Sequence, residues 1–124
     1  MPIDVVFLSD DLMFVPRVTA QAEAAGWTIR HVGSTTAAIS VVHSDSPRLL
    51  VVDLETTGLE LATVITSLPE TEPPRTLAFG PHVHHQRLET ARQAGCDLVV
   101  SRGRLSAELP TLLSDLLNGE SSRS

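Results

Sequence analysis

Short apolar runs alternate with longer amphipathic segments along the chain. The runs predict strands at residues 3–8, 27–32, 49–54, 76–79 and 98–101. The segments between them have a helical period, at about residues 14–25, 37–43, 59–68, 83–94 and 106–117. Strands that are apolar on both faces and alternate with helices are typical of a parallel sheet covered on both sides. The pattern predicts a doubly wound α/β fold with a five-stranded parallel sheet in the order 2-1-3-4-5.

Glycine and proline set the expected limits of these elements. Gly26 and Gly95 stand where the first and fourth helices should stop, and Ser34 is placed to cap the second helix. Pro16 lies inside the first helical segment, so that helix should begin later than Leu12 or be irregular in its first turn. The whole pattern fits one domain, residues 1–118, with a flexible tail at residues 119–124.

Composition narrows the classes of function. Nine basic residues against fifteen acidic ones give a net charge of −6, which argues against a general electrostatic grip on nucleic acid. One cysteine, Cys96, excludes an internal disulfide framework and a cysteine-based zinc site, and it is expected to be a small buried apolar group. No secretory signal and no membrane-spanning run stand out. We expect a soluble, cytoplasmic protein with no membrane partner.

Charged residues follow several predicted strands at their carboxyl ends, where doubly wound sheets bind their ligands. Asp10 and Asp11 follow strand one, Asp53 ends strand three with Glu55 beyond it, and Arg102 follows strand five. Carboxylates gathered at one edge repel unless a cation neutralises them, and oxygen ligands suit Mg²⁺. The sequence therefore predicts a magnesium site, with Arg102 facing a phosphoryl oxygen or a free carboxylate.

Three segments resemble response-regulator receiver domains of the CheY-like, flavodoxin-like type, over about residues 3–117. They are VVFLSDD, similar to the family's acidic pair, LLVVDL, similar to its phospho-accepting strand, and ARQAGCDLVVSR, whose last residue matches a basic site residue. The resemblance implies Mg²⁺ ligation at Asp10 and Asp11, with Asp53 and the backbone carbonyl of Glu55 completing the site. It also implies that Asp53 accepts a phosphoryl group from a histidine kinase or another phosphodonor, in a two-component phosphorelay, with Arg102 contacting that group.

The sequence departs from the receiver pattern at several positions. Gly80 stands where a Thr or Ser is usual, Arg102 replaces the usual lysine, and Gly103 replaces the proline after it. The loop after Asp53, LETTG, is short, and strand five has no aromatic switch residue. The chain is therefore expected to be an atypical receiver or a pseudo-receiver.

Two functions follow from this resemblance, neither of them enzymatic. One is a stand-alone signalling phosphoprotein that binds Mg²⁺, accepts phosphate on Asp53 and acts on an unknown downstream partner. The other is a phosphorylation-independent interaction module that kept the fold and lost the switch.

Structural interpretations of the same residues stay open beside these functions. Asp10 and Asp11 would cap the first helix, Asp53 would be a turn residue, and Arg102 would form a surface ion pair. A third, weaker function is a metal-dependent hydrolase or sensor, whose ligands would include His82, His84 and His85. The leucines of the last helix fit a core stripe, and a homodimer face is an open option there.

Overall fold

The computed structural model describes residues 3–118 as five strands and five helices in strict alternation. These are β1 (Val5–Leu8), α1 (Val15–Ala24), β2 (Ile29–Val32), α2 (Thr35–Asp45), β3 (Leu49–Asp53), α3 (Leu61–Thr66), β4 (Arg75–Gly80), α4 (His85–Ala94), β5 (Leu98–Ser101) and α5 (Arg102–Asn118). All neighbouring strands are parallel, in the order β2-β1-β3-β4-β5. The predicted fold class is confirmed, and the tail predicted at residues 119–124 lies outside the described residues.

Alternation along each strand divides the core into two layers. In β1, Val5 and Phe7 pack in the layer that contains α1 and α5, whereas Val6 and Leu8 pack in the layer of α2, α3 and α4. The α5 leucines are buried in the first layer: Leu105, Leu109, Leu112, Leu113, Leu116 and Leu117. The core interpretation of the last helix is confirmed, because these side chains are used within the chain itself.

Several boundaries differ from the sequence predictions. Helix α5 begins at Arg102 rather than near residue 106, and it passes Pro110 through a non-helical residue, Glu108. Strand β2 is not apolar on both faces, because it is an edge strand and exposes Arg30 and His31. Helix α1 begins at Val15 with a proline in its first turn, a position where the missing N–H costs nothing.

Two residues that were predicted to limit helices are confirmed in that role. The Ser34 hydroxyl accepts a hydrogen bond from the Ala37 amide at 3.1 Å and so caps α2. Gly95 ends α4 with a φ of +106°, a backbone conformation that residues with a side chain rarely adopt.

Cys96 is half-buried rather than fully buried, and burial raises the pKa of its thiol to about 11. Such a thiol stays neutral and unreactive at ordinary pH.

Candidate functional site

The strands end together at one edge of the sheet. Leu8 pairs with Val52, which places Ser9 beside Asp53, and Gly80 pairs with Ser101 at the ends of β4 and β5. We call this edge the carboxyl rim: residues 9–14, 53–60, 80–87 and 101–102. The rim is the site that the strand-end argument predicts, and it contains every residue to which the sequence assigned a site role.

Asp53 is enclosed at the centre of the rim, with 1% of its surface exposed. Its Oδ2 accepts a hydrogen bond from the Ser9 hydroxyl at 2.6 Å, and its Oδ1 accepts one from the Glu55 amide at 2.9 Å. Burial raises the pKa of Asp53, while these two bonds and the positive charge of Arg102 oppose the rise. Each carboxylate oxygen therefore accepts one hydrogen bond from a neighbouring group of the chain.

Ser9 is the site residue that the sequence analysis missed. Besides donating to Asp53, its hydroxyl accepts from the Asp11 amide at 3.1 Å, and its carbonyl bonds to His31 Nε2 at 2.6 Å. The signal was present in the sequence. Ser9 is the first residue after an apolar strand, as Asp53 is after LLVV, so parallel pairing in register brings the two together.

Asp11 and Arg102 form an ion pair across the rim. One Arg102 nitrogen lies 2.6 Å from Asp11 Oδ2, and the guanidinium carbon lies 4.1 Å from the centre of the Phe14 ring. Asp11 Oδ1 accepts from the Met13 and Phe14 amides, each at 3.0 Å, which fixes the turn before α1. The hydrogen bond from Arg102 is the main cause that lowers the pKa of Asp11. The sequence left an Arg102 ion pair open, and the structure identifies Asp11 as the partner.

Asp10 is exposed, and its Oδ2 accepts a hydrogen bond from the Thr57 amide at 3.0 Å. This bond is the first cause that lowers the pKa of Asp10. The three aspartates thus lie along one rim, but each has its own set of partners. Within residues 3–118, no three acidic, histidine or cysteine side chains are grouped so that they could share a metal ion. In this arrangement the carboxylates do not fit Mg²⁺, and the ligand roles given to Asp10, Asp11, Asp53 and Glu55 stay predictions.

The side chain of Glu55 links the loop after β3 to the start of α4. It contacts His84 Nδ1 at 3.2 Å and forms an ion pair with Arg87. His82 and His85 are exposed, and α4 begins only at His85, so these two histidines do not lie on one helix face. Across the described ranges, then, the three histidines form no metal-ligating group.

Gly80 ends β4 in apolar surroundings. A Cβ built there would lie 3.5 Å and 3.7 Å from two carbon atoms of Leu54 and 3.7 Å from Leu88 Cδ2. These are ordinary packing distances, so a small side chain fits, but its nearest neighbours are leucines rather than polar groups. The position that carries a hydroxyl in the receiver pattern is therefore lined here by hydrocarbon.

Comparison with known proteins shows the fold and leaves the function open. No family model and no curated protein sequence matches the chain. Among solved structures, the signal receiver domain of a Bermanella marisrubri response regulator is 18% identical, with a TM-score of 0.83 over 95% of this chain and 100% of that one. The receiver domain of NarL from Mycobacterium tuberculosis is 20% identical, with a TM-score of 0.79 over 96% and 98%.

A third similar structure is the receiver domain of a sensor histidine kinase from Pseudomonas aeruginosa, described with a magnesium ion coordinated in its active site cleft. It is 14% identical, with a TM-score of 0.81 over 95% of this chain and 99% of that one. The chain therefore has the response-regulator receiver fold, as the resemblance implied. Among its described helices, none has both the length and the apolar character needed to cross a membrane.

Proposed function

We propose that this chain is a receiver-type signalling domain that binds a partner protein without phosphorylation of Asp53. The observation that carries the proposal is the enclosure of Asp53, whose two carboxylate oxygens accept hydrogen bonds from Ser9 and Glu55. A carboxylate must present a free oxygen in line with the phosphorus atom in order to attack a phosphodonor. Because Asp53 is 1% exposed and Ser9 holds its Oδ2, phosphorylation here requires the rim to open so that a phosphodonor can reach the carboxylate.

Exposed apolar side chains support a binding role. The large hydrophobic residues that are exposed in residues 3–118 are Leu12, Met13 and Val83, at 77%, 82% and 62%. All three lie on the carboxyl rim, in the connections that follow β1 and β4. Apolar side chains that the chain's own core does not use are available to a protein partner. The proposal is one of binding rather than catalysis, in the cytoplasm.

The second candidate is a conventional receiver, in which Asp53 accepts a phosphoryl group from a histidine kinase with the help of Mg²⁺. Its support is the position of Asp53 at the end of β3 within the field of Arg102, together with the magnesium-containing receiver among the similar structures. Mg²⁺ would supply charge neutralisation for the transferred group. Asp11 would have to leave Arg102 for this candidate to operate.

Incubation with acetyl phosphate and Mg²⁺, followed by intact-mass measurement under conditions that preserve acyl phosphates, separates the two candidates. We expect no phosphoryl adduct on the wild-type chain and no rise in melting temperature with beryllofluoride. Ser9→Ala, which removes the hydrogen bond to Oδ2, is the matched variant, and it should acquire a detectable adduct. An adduct on wild type that disappears in Asp53→Asn would overturn the proposal in favour of the conventional receiver.

A further inference from the structure

The guanidinium of Arg102 supplies a positive charge beside the carboxylates of Asp11 and Asp53. It is held from two sides, by Asp11 Oδ2 at 2.6 Å and by the face of the Phe14 ring at 4.1 Å. The pair joins the connection after β1 to the start of α5, across 91 residues of sequence. Its charge also reaches Asp53, whose ionised form it favours. One guanidinium therefore serves both carboxylates.

The residue beside Asp53 is Ser9, which is uncharged, so it adds no negative charge that a cation would have to neutralise. Ser9 directly follows the neighbouring strand β1 and lies next to Asp53, and it contributes a hydrogen bond without a negative charge. Asp10 is turned to the Thr57 amide. Of the described carboxylates, the one whose charge acts on Asp53 is Asp11, and Arg102 pairs with it.

We propose that Arg102 takes the place of a divalent cation at the carboxyl rim and that it competes with Mg²⁺ for Asp11. Magnesium demands near-octahedral oxygen ligands and gives up its water reluctantly. To bind here, it would have to displace the guanidinium from Asp11 and the Ser9 hydroxyl from Asp53, and each displaced group leaves a charge or a donor without its partner. The inference deepens the proposed function and rests on it, but the experiment that tests it measures only the binding of a divalent cation.

The test is a titration with Mn²⁺, which has the same preference for oxygen ligands and whose free form is read directly by electron paramagnetic resonance. The proteins are wild type, Arg102→Gln and Arg102→Met. The methionine removes the charge but keeps a long side chain that can pack against the Phe14 ring. Arg104→Gln is the matched control, because Arg104 lies two residues away in the same helix and, within residues 3–118, its side chain pairs with Glu108 and not with a carboxylate of the rim.

At millimolar Mn²⁺, we expect wild type and Arg104→Gln to leave the signal of free Mn²⁺ undiminished. The two Arg102 variants should bind Mn²⁺ at least about tenfold more tightly, because they lack one positive charge next to the carboxylates. Mg²⁺ should raise the melting temperature of those variants by a few degrees and leave wild type unchanged. Circular dichroism establishes that each variant is folded, and either folded Arg102 variant is sufficient.

Two results would overturn the proposal. One is wild-type affinity for Mn²⁺ equal to that of the Arg102 variants, and the other is no Mn²⁺ binding by a folded variant. Neither result depends on acetyl phosphate or on a partner protein, so failure here is distinguishable from failure of the proposed function. For example, a wild-type Mn²⁺ affinity equal to that of the Arg102 variants, together with no phosphoryl adduct, would reject Arg102 as the substitute for a divalent cation and leave the phosphorylation-independent module standing.

Discussion

Aspartates have different surroundings at the two ends of the parallel strands. Where the strands begin, Asp97 accepts from the amide and hydroxyl of Thr76, at 2.8 Å and 3.3 Å, and Asp4 accepts from the amide and hydroxyl of Thr28, at 2.9 Å and 3.0 Å. Both aspartates keep contact with solvent. Where the strands end, Asp53 also accepts two hydrogen bonds, but it is almost completely enclosed.

The difference lies in the cost of burial. An exposed carboxylate retains most of its hydration, so hydrogen bonds from the backbone add to stability. An enclosed carboxylate loses its hydration, and the raised pKa of Asp53 shows that its two hydrogen bonds and Arg102 do not fully offset that loss. The aspartates where the strands begin therefore stabilise the fold through hydrogen bonds to the backbone, whereas we expect the charge of Asp53, where the strands end, to lower the stability of the fold.

The largest effect is expected at the beginning of the sheet. Asp97→Ala removes the acceptor for the amide and hydroxyl of Thr76, a residue that is 2% exposed, and leaves these donors without a partner. We expect a loss of about 2 kcal/mol in the free energy of unfolding, measured by urea denaturation. Asp45→Ala, which breaks the exposed pair with Arg30, is the control and should cost no more than about 0.5 kcal/mol. Equal losses in both variants would show that the Thr76 bonds add nothing.

A change of the opposite sign is expected for Asp53. Asp53→Asn removes the enclosed charge and keeps the shape, with the amide oxygen accepting from Glu55 and the amide nitrogen donating to Ser9. Near pH 8, this variant should be more stable than wild type by about 1 kcal/mol in urea denaturation. Because the pKa of Asp53 is higher in the folded chain than in the unfolded one, folding takes up protons between those values. The wild-type penalty is therefore complete above the folded pKa, and the advantage of the variant should shrink as the pH falls.

Asp11→Asn provides the reference for that pH profile. Arg102 lowers the pKa of Asp11, so the stability that this carboxylate contributes is present above its unfolded pKa and is lost as the pH falls through the folded value. Asp11→Asn should therefore be less stable than wild type near neutral pH and approach it in acid. Parallel profiles for the two variants would contradict the distinction between an enclosed and an ion-paired carboxylate.

The smallest effect is expected at Gly80, also on the carboxyl rim. An alanine Cβ there meets Leu54 and Leu88 at ordinary packing distances, and the unfolded chain loses conformational freedom. Gly80→Ala should therefore raise the free energy of unfolding by about 0.5 kcal/mol in urea denaturation. Gly95→Ala is the control, because a φ of +106° strains any side chain, and it should lower stability by about 1 kcal/mol. A loss at Gly80 would show that the leucines around it cannot accommodate a methyl group.

The elements themselves were predictable because their determinants are local. Apolar runs such as LLVVDL, the cap at Ser34 and the stop at Gly95 act within a few residues, and each was found where the pattern placed it. The start of α5 was missed because Arg102 follows β5 directly, and the residue that caps the helix, Ser101, is also the last residue of that strand. Its hydroxyl accepts a hydrogen bond from the Arg104 amide at 3.0 Å. The predicted order 2-1-3-4-5 already placed β2 at an edge of the sheet, but the exposure of Arg30 and His31 was missed because it depends on having one neighbouring strand instead of two.

The sequence alone determined the doubly wound α/β fold and the presence of Asp10, Asp11, Asp53 and Arg102 on one rim, because strand periodicity and parallel pairing fix which residues stand at the strand ends. Only the tertiary structure decided how these groups are paired. Whether Arg102 binds Asp11, or Ser9 binds Asp53, depends on side-chain reach across 91 and 44 residues of sequence. The energy of each pair depends on solvent exclusion, which is a property of the packed chain and of no local segment.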